Sequence, residues 1–236
     1  MTTTELGVSE SFALAILDPR SGKRLVDSTR WKAGLAGAAI IDLVRSGTLR
    51  LIGPGDPSGP AGRFVATGFG ELPGPGWEEV MRRADGQKPK NAVARVGGAS
   101  SWTDRAGPLW DEVTRVLVAD RVVRRDEDRT LGIIPSTRWR VVDEASREAV
   151  LDRVRTVLSE GTATNDIDGT VAALLHATEA LPKVFPHEPR KWLRAQGTLV
   201  ARGDWASEAV RRAIADVQSA ATAAIVASTS AAVIST

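Results

Sequence analysis

The residues of this sequence whose types and spacing could do chemistry are cations placed beside tryptophan. Arg30, Trp31 and Lys32 are consecutive at the start of a strongly apolar segment, and Arg105 precedes a second such segment. If both segments are helices, their unpaired N-terminal N–H groups and positive dipole ends favour a bound phosphate. An exposed Trp beside two cations also suits a membrane interface. We therefore predict an anion-binding site from these four residues, the cation-Trp cluster. The alternative is a packed Trp31 with solvated cations.

Two other groups of residues have the same composition. They are Arg138, Trp139 and Arg140, which follow a predicted hairpin, and Lys183, Arg190, Lys191, Trp192 and Arg194 near the last third of the chain. We expect Trp139 to pack against the core. We expect the later set to lie in a solvated loop, because three prolines interrupt the chain between residues 182 and 189.

Residues for catalysis are sparse in this chain. It has two His and no Cys. His176 lies within the apolar run VAALLHATEAL, where a lone imidazole is expected to be a core residue, and His187 lies between two prolines. The sequence has no H-E-x-x-H, G-x-S-x-G or P-loop motif. The acidic run 126–128 is flanked by Arg and is expected to be a solvated hairpin tip. We predict a protein without catalytic residues, metal or cofactor.

Composition limits the class of protein. The chain has 236 residues, of which 42% are hydrophobic, enough for a sizeable core. The net charge is only +2, so an anion-binding role requires a local patch rather than an overall basic excess. The absence of Cys fits a reducing cytoplasm. The N-terminus lacks the basic region of a secretory signal, and residues 217–236 are too polar for a spanning helix. We expect a cytoplasmic protein that associates peripherally with the inner face of the membrane.

The element that positions the cation-Trp cluster is the segment 28–52. Ser28 or Thr29 is a candidate N-cap for a helix over 31–44. That helix is apolar all round, so it should be buried at the centre of the domain. Gly47 stands where a left-handed C-terminal cap belongs, and 48–52 alternates like a short strand.

The rest of the chain is predicted to be mostly helical. We expect helices over 76–83, 91–96, 106–119, 143–158, 166–181 and 190–195 and from 203 onward, hairpins over 48–67 and 122–134, and a short strand or buried segment over 11–17. No shift in composition marks a domain boundary. The predicted fold class is mainly α: a single globular helical domain with a buried central helix and a few short β-hairpins.

Four stretches carry a resemblance to a known family. They are SGKRLVDSTR, GLAGAAIIDLVRSGTLRL, VLVADRVVRRDEDRTLGIIPSTRW and GDWASEAVRRAIADVQSA. In this order they resemble bacterial members of the Golgi phosphoprotein 3 family, from about residue 10 to residue 217. The resemblance implies a family domain over 11–227, preceded by a flexible N-terminus at 1–10 and followed by a C-terminal tail at 228–236.

The resemblance implies a function as well as a fold. Eukaryotic members of the family bind phosphatidylinositol 4-phosphate, a phosphoinositide, on Golgi membranes and act as adaptors for glycosyltransferase tails. The implied protein is a non-enzymatic peripheral membrane adaptor that binds an anionic phospholipid headgroup and a protein partner, and that forms a homo-oligomer through a β-hairpin. The family's lipid pocket uses one Trp and three Arg, whose positions in this chain are occupied by Asp27, Ala36, Gly107 and Trp110. No site residue is therefore carried over, and the cation-Trp cluster is the substitute anion site.

Two other functions fit parts of the sequence. One is a protein–protein adaptor without lipid binding, which would use the hairpins and the Ala-rich C-terminal helix as contact surfaces. The other is a winged-helix-like nucleic-acid binder, with 106–125 as the helix and 130–134 as part of the wing. The acids at 126–128 stand where phosphates would approach, and the net charge lacks the basic excess of such proteins. We therefore predict no nucleic-acid partner.

Overall fold

The computed structural model describes residues 6–98, 105–130, 134–202, 216–217, 219–223 and 225, with side chains over the same ranges except 128–130 and 134–136. Its helices are α1 (Val8–Ala15), α2 (Ser28–Arg45), α3 (Trp77–Ala84), α4 (Pro89–Gly97), α5 (Ala106–Ala119), α6 (Glu144–Glu160), α7 (Asp166–Ala177), α8 (Leu181–Val184) and α9 (Arg190–Arg202). The strands are β1 (Leu49–Leu51), β2 (Phe64–Ala66), β3 (Val123–Thr130) and β4 (Ile134–Val141). The mainly α fold class is confirmed.

Helix α2 forms the buried centre of the fold, as its apolar surface predicted. Its N-cap is Asp27, whose carboxylate accepts a hydrogen bond from the Arg30 backbone N–H. The predicted caps, Ser28 and Thr29, were wrong, because both residues already lie in the first helical turn. Asp27 has the extended backbone and the short acceptor side chain that a cap requires. After the helix the chain turns at Gly47, whose φ of 76° is left-handed, and enters β1.

Helix α1 covers most of the range 11–17, for which a short strand or a buried segment was predicted; the segment is buried, and the strand alternative is wrong. All of its residues are buried, so the segment shows neither helical nor strand periodicity. Two backbone N–H groups at its start, those of Val8 and Ser9, donate to the Asp42 carboxylate of α2 at 2.9 and 2.8 Å. The helix therefore begins inside the range 1–10 for which flexibility was predicted.

The contact between α1 and α2 is close enough to exclude a methyl group. A Cβ added at Gly34 would lie 2.2 Å from Cζ of Phe12. Although Ala is the better helix former, we expect Gly34→Ala to lower the free energy of unfolding by about 1–3 kcal/mol, because the Phe12 ring must shift. Urea denaturation measures the loss. Gly53→Ala is the control, since a Cβ there meets nothing within 4 Å. Equal stability of the two variants would contradict the expectation.

The two hairpins hold the edges of the fold. Strands β1 and β2 pair antiparallel, with Leu49 opposite Ala66, as predicted. Strands β3 and β4 are longer than the predicted 122–124 and 131–134, and they pair from Val123 opposite Val141 onward. The charged sequence of β3 lacks the apolar alternation that marks a strand, so its length is set by pairing with β4. The backbone N–H of Trp139 donates to the Gly22 carbonyl at 3.0 Å, and this hydrogen bond holds the hairpin against the turn at 18–24.

The second half of the chain packs further helices onto α1 and α2. Helix α7 ends at Ala177, earlier than predicted, because Glu179 adopts a left-handed φ of 54° before α8 begins. Helix α9 is longer than the predicted 190–195. The helix predicted from residue 203 and the boundary predicted at 227 fall largely or wholly outside the described residues. Among the helices that are described, none is both long and apolar enough to cross a membrane.

Candidate functional site

Trp31 of the cation-Trp cluster is buried between two helices. Its exposed fraction is 5%, and its ring centroid lies 5.4 Å from that of Trp110 in α5, at an interplanar angle of 71°. This is the edge-to-face arrangement that aromatic pairs favour. Of the two arrangements considered for Trp31, the packed one is observed and the exposed, interfacial one is not. Trp31 packs, because α5 presents a second indole to it.

Arg24 is a cation of this site that the sequence reasoning did not include. Its guanidinium carbon lies 4.1 Å from the Trp31 ring centroid and 4.2 Å from that of Trp110. An isolated β-bridge between Leu17 and Arg24 fixes the backbone at this point. Each cation–π contact of this kind is worth about 0.5–2 kcal/mol, depending on burial. The one available signal was the position of Arg24 in SGKRLVDSTR, just before the central helix.

Lys32 and Arg105 lie against the same end of α4. The Lys32 Nζ is 5.7 Å from the Trp31 ring centroid. A Cβ added at Gly97 would lie 3.1 Å from the Lys32 carbonyl oxygen, and one added at Gly98 would lie 3.2 Å from Cβ of Arg105. Since these glycines are consecutive, the structure brings Lys32 and Arg105 close together, as the prediction of a shared site requires.

Arg30 faces a different environment from the other predicted cations. Its Nη2 lies 2.6 Å from Oε2 of Glu179, and its Nη1 pairs with the Asp27 carboxylate. Hydrogen bonds to Glu179 and then to Asp27 raise the pKa of Arg30. Two carboxylates therefore balance its charge, so Arg30 contributes less positive potential to the cluster than its sequence position suggests.

The two helix N-termini at the site differ in how they are capped. At α2 the Asp27 carboxylate already accepts a first-turn N–H. At α5 the preceding residue, Arg105, provides no side-chain cap. Nearby, the indole N–H of Trp110 is buried without an acceptor in the part of the chain that the structure describes. A first-turn N–H of α2 is thus already satisfied by a carboxylate, whereas the residue before α5 is basic.

The other two cation-Trp groups have structural explanations. Trp139 is 5% exposed and packs as expected, with the Arg125 guanidinium carbon 5.5 Å from its ring centroid. Most of the later set belongs to α9, in agreement with the helix predicted over 190–195 and not with the solvated loop. Arg190, Lys191 and Arg194 are exposed there, and the helix contains no acidic residue.

The remaining candidate residues lie in packed or paired positions. His176 is half-buried where α7 meets α9, with Nε2 3.4 Å from Oγ1 of Thr198, and burial lowers its pKa. This fits the expected core role. The acidic run 126–128 was predicted at a hairpin tip, yet it lies within β3, because the hairpin is longer. There Asp126 pairs with Arg124 at 2.7 Å and with Arg140 at 2.6 Å.

Comparison with known proteins identifies a family for this chain. The family model described as Golgi phosphoprotein 3 (GPP34) matches residues 8–217, which is most of the chain. No curated protein matches. The matched range begins at the first residue of α1 and contains every helix and strand described above. The chain belongs to the Golgi phosphoprotein 3 family.

Proposed function

We propose that this protein is a non-enzymatic peripheral membrane adaptor that binds an anionic phosphate headgroup beside Arg24, Lys32 and Arg105. One observation carries the proposal. The Arg24 guanidinium lies over the rings of both Trp31 and Trp110. The Lys32 ammonium lies over the Trp31 ring. A cation held by two rigid rings is positioned before any ligand arrives, which is the property that distinguishes a binding site from a solvated surface charge.

The electrostatics of the site favour the start of α5 for the phosphate. The residue that precedes α5, Arg105, is basic, whereas the residue that precedes α2, Asp27, is acidic. A phosphate at α2 would face that carboxylate. At α5 it would meet the planar guanidinium groups of Arg24 and Arg105 and the ammonium charge of Lys32.

Family membership supports a phosphoinositide as the headgroup, with phosphatidylinositol 4-phosphate as the first candidate. The four positions of the family's lipid pocket carry other residues in this chain, at Asp27, Ala36, Gly107 and Trp110. Recognition of that particular headgroup would therefore use a pocket rebuilt from different side chains. A patch without headgroup recognition would bind any anionic surface and would weaken as salt rises.

Reversing the charges of Lys32 and Arg105 should strongly reduce binding to anionic vesicles. We expect the double variant Lys32→Glu with Arg105→Glu to reduce the bound fraction in co-sedimentation by about tenfold or more, since each basic residue near an anionic surface is worth about 1 kcal/mol. The vesicles are neutral lipid, generic anionic lipid, and neutral lipid with phosphatidylinositol 4-phosphate, each at two salt concentrations. Lys191→Glu with Arg194→Glu is the control, because it makes the same charge change on the exposed face of α9.

The pattern of binding decides between the functions. Binding to the phosphoinositide alone, lost in the double variant but not in the control, supports headgroup recognition. Binding to any anionic vesicle supports a surface patch. We expect Arg30→Gln to have the smaller effect, because Asp27 and Glu179 balance that charge. Equal losses in the double variant and the control would refute the site. No binding by the wild-type protein would favour a protein–protein adaptor without lipid binding.

Nucleic-acid binding has less support from the hairpin that would serve as the wing. Asp126 pairs with both Arg124 and Arg140 and so lowers the positive charge that would meet a phosphate backbone. An adaptor that works through protein contacts, including a homo-oligomer through the β3–β4 hairpin, remains the second candidate. Its support is the exposed face of α9, where cations are not accompanied by acids of the same helix.

A further inference from the structure

A cleft of about 370 Å³ lies at the C-terminal end of α2. Asp42 forms part of its lining, and eleven residues of helix separate Asp42 from Trp31, so the cleft is about 16 Å from the cation-Trp cluster. Apolar walls are provided by Trp77 and Val116, and a carboxyl group on the lining comes from Glu10 of α1. Its volume is within the range of small-molecule sites.

The Glu10 carboxyl is the unusual feature of this cleft. The residue is 7% exposed, yet no side chain in the described residues donates to its carboxyl or forms an ion pair with it. The backbone N–H groups of Gly7 and of Glu10 itself donate toward this carboxyl, as those of Val8 and Ser9 donate to Asp42. Buried charged groups are normally paired. Glu10 is therefore a nearly buried carboxyl group on the cleft wall, and no Lys or Arg side chain of the described residues forms an ion pair with it.

The charges around Glu10 favour a cation in the cleft. A Cβ added at Gly7 would lie 2.6 Å from Oε2 of Glu10 and 3.2 Å from Oδ1 of Asp42, so the two carboxyl groups flank one backbone position. Arg45, the basic residue on the lining, pairs with Asp166 at 2.8 Å and lies 3.9 Å from Asp42. The ionised carboxyl groups around the cleft therefore outnumber its one guanidinium among the described residues, and the net charge there is negative.

The protonation of Glu10 follows from this environment. Burial and then the charge of Asp42 raise the pKa of Glu10 to about 7, and the charge of Asp120 adds to the shift. At neutral pH the carboxyl is therefore poised to lose its proton when a positive charge arrives. A metal ion is the less suitable occupant, because the described residues contain no group of three or more side chains that could hold one.

We propose that the cleft binds an ammonium group carried on a short aliphatic chain, with the nitrogen paired to Glu10 and the methylenes against Trp77 and Val116. An ammonium supplies donors to the carboxylate, while the indole face tolerates a nearby cation. This site lies at the opposite end of α2 from the proposed headgroup site, so either proposal can fail without the other.

Titration calorimetry with 1,4-diaminobutane at pH 7 tests the proposal. We expect binding with release of roughly half a proton, because Glu10 is about half protonated there and must ionise to pair. Repeating the titration in two buffers of different ionisation enthalpy measures that proton. Affinity should rise about tenfold between pH 6 and pH 8 as the carboxyl ionises. 1-Butanol, which has no charge, should not bind.

Variants locate the site. Glu10→Gln should weaken diamine binding at least tenfold and remove the proton release, and Val116→Phe should block the cleft while retaining the carboxyl. Glu78→Gln, an exposed acid on α3, makes the same charge change and should bind like the wild-type protein. A capped lysine amide carries the same group on a peptide. Tighter binding of the capped lysine amide would indicate that the natural ligand is a lysine side chain of a protein. Tighter binding of the diamine would indicate a free amine. Absence of millimolar binding by the wild-type protein, or unchanged binding by Glu10→Gln, would overturn the proposal.

Discussion

Replacing Trp110 with Ala should lower the free energy of unfolding by about 3–5 kcal/mol, the range for removing a large buried aromatic. Trp110 is 1% exposed, and its loss leaves a cavity between α2 and α5. The substitution also removes the edge-to-face contact with Trp31 and one of the two rings that hold Arg24. Urea denaturation followed by circular dichroism measures the change.

The control for this prediction is Trp192→Ala. Trp192 is half-buried on α9, so we expect a clearly smaller loss than at Trp110. A double-mutant cycle with Arg24→Ala then isolates the stacking, and we expect a coupling of about 1 kcal/mol between Arg24 and Trp110. Equal losses in the two Trp variants would show that the indole pair is not a major part of the core. A coupling near zero would remove the structural support from the proposed headgroup site.

The helices that sequence reasoning predicted well are those whose burial is one-sided or whose ends carry turn chemistry. Helix α5 has the predicted bounds, because its apolar residues repeat at helical spacing. Helix α1 was predicted as a short strand or a buried segment and not as a helix, because burial on every side removes the periodicity that distinguishes helix from strand. The length of β3 could not be predicted either, because its charged residues are held by pairing with β4 rather than by burial of one face.

The candidate site was predictable in part for a similar reason. Lys32 and Arg105 could be placed together, because each stands at the start of a recognisable helix. Arg24 was missed, because its contacts with Trp31 and Trp110 join three segments that only the tertiary fold brings together. Asp42 shows the same limit. Its capping of α1 depends on a helix that the sequence did not reveal.

Glu10→Gln should stabilise the protein at neutral pH and have little effect in acid. Burial and the charge of Asp42 raise the pKa of Glu10 from 4.5 to about 7 in the folded protein. Between these values the folded state holds a proton that the unfolded state has lost, so the contribution of Glu10 to stability falls as pH rises and is constant above about 7. At 1.36 kcal/mol per pKa unit, this shift lowers the free energy of unfolding by about 3 kcal/mol above pH 7. Gln cannot ionise and avoids this cost.

The difference between the wild-type protein and Glu10→Gln isolates this residue from the other carboxyl groups. Asp56, for example, acts in the opposite direction, because hydrogen bonds from Arg50 lower its pKa and its contribution is lost in acid. Urea denaturation from pH 4 to pH 8 should give a difference that grows between pH 4.5 and pH 7; Glu78→Gln, which removes an exposed acid, is the control for the loss of one carboxyl group. A constant difference for Glu10→Gln would mean that the buried carboxyl is solvated or paired in solution. The test needs no ligand, so it holds whether or not the cleft binds an amine.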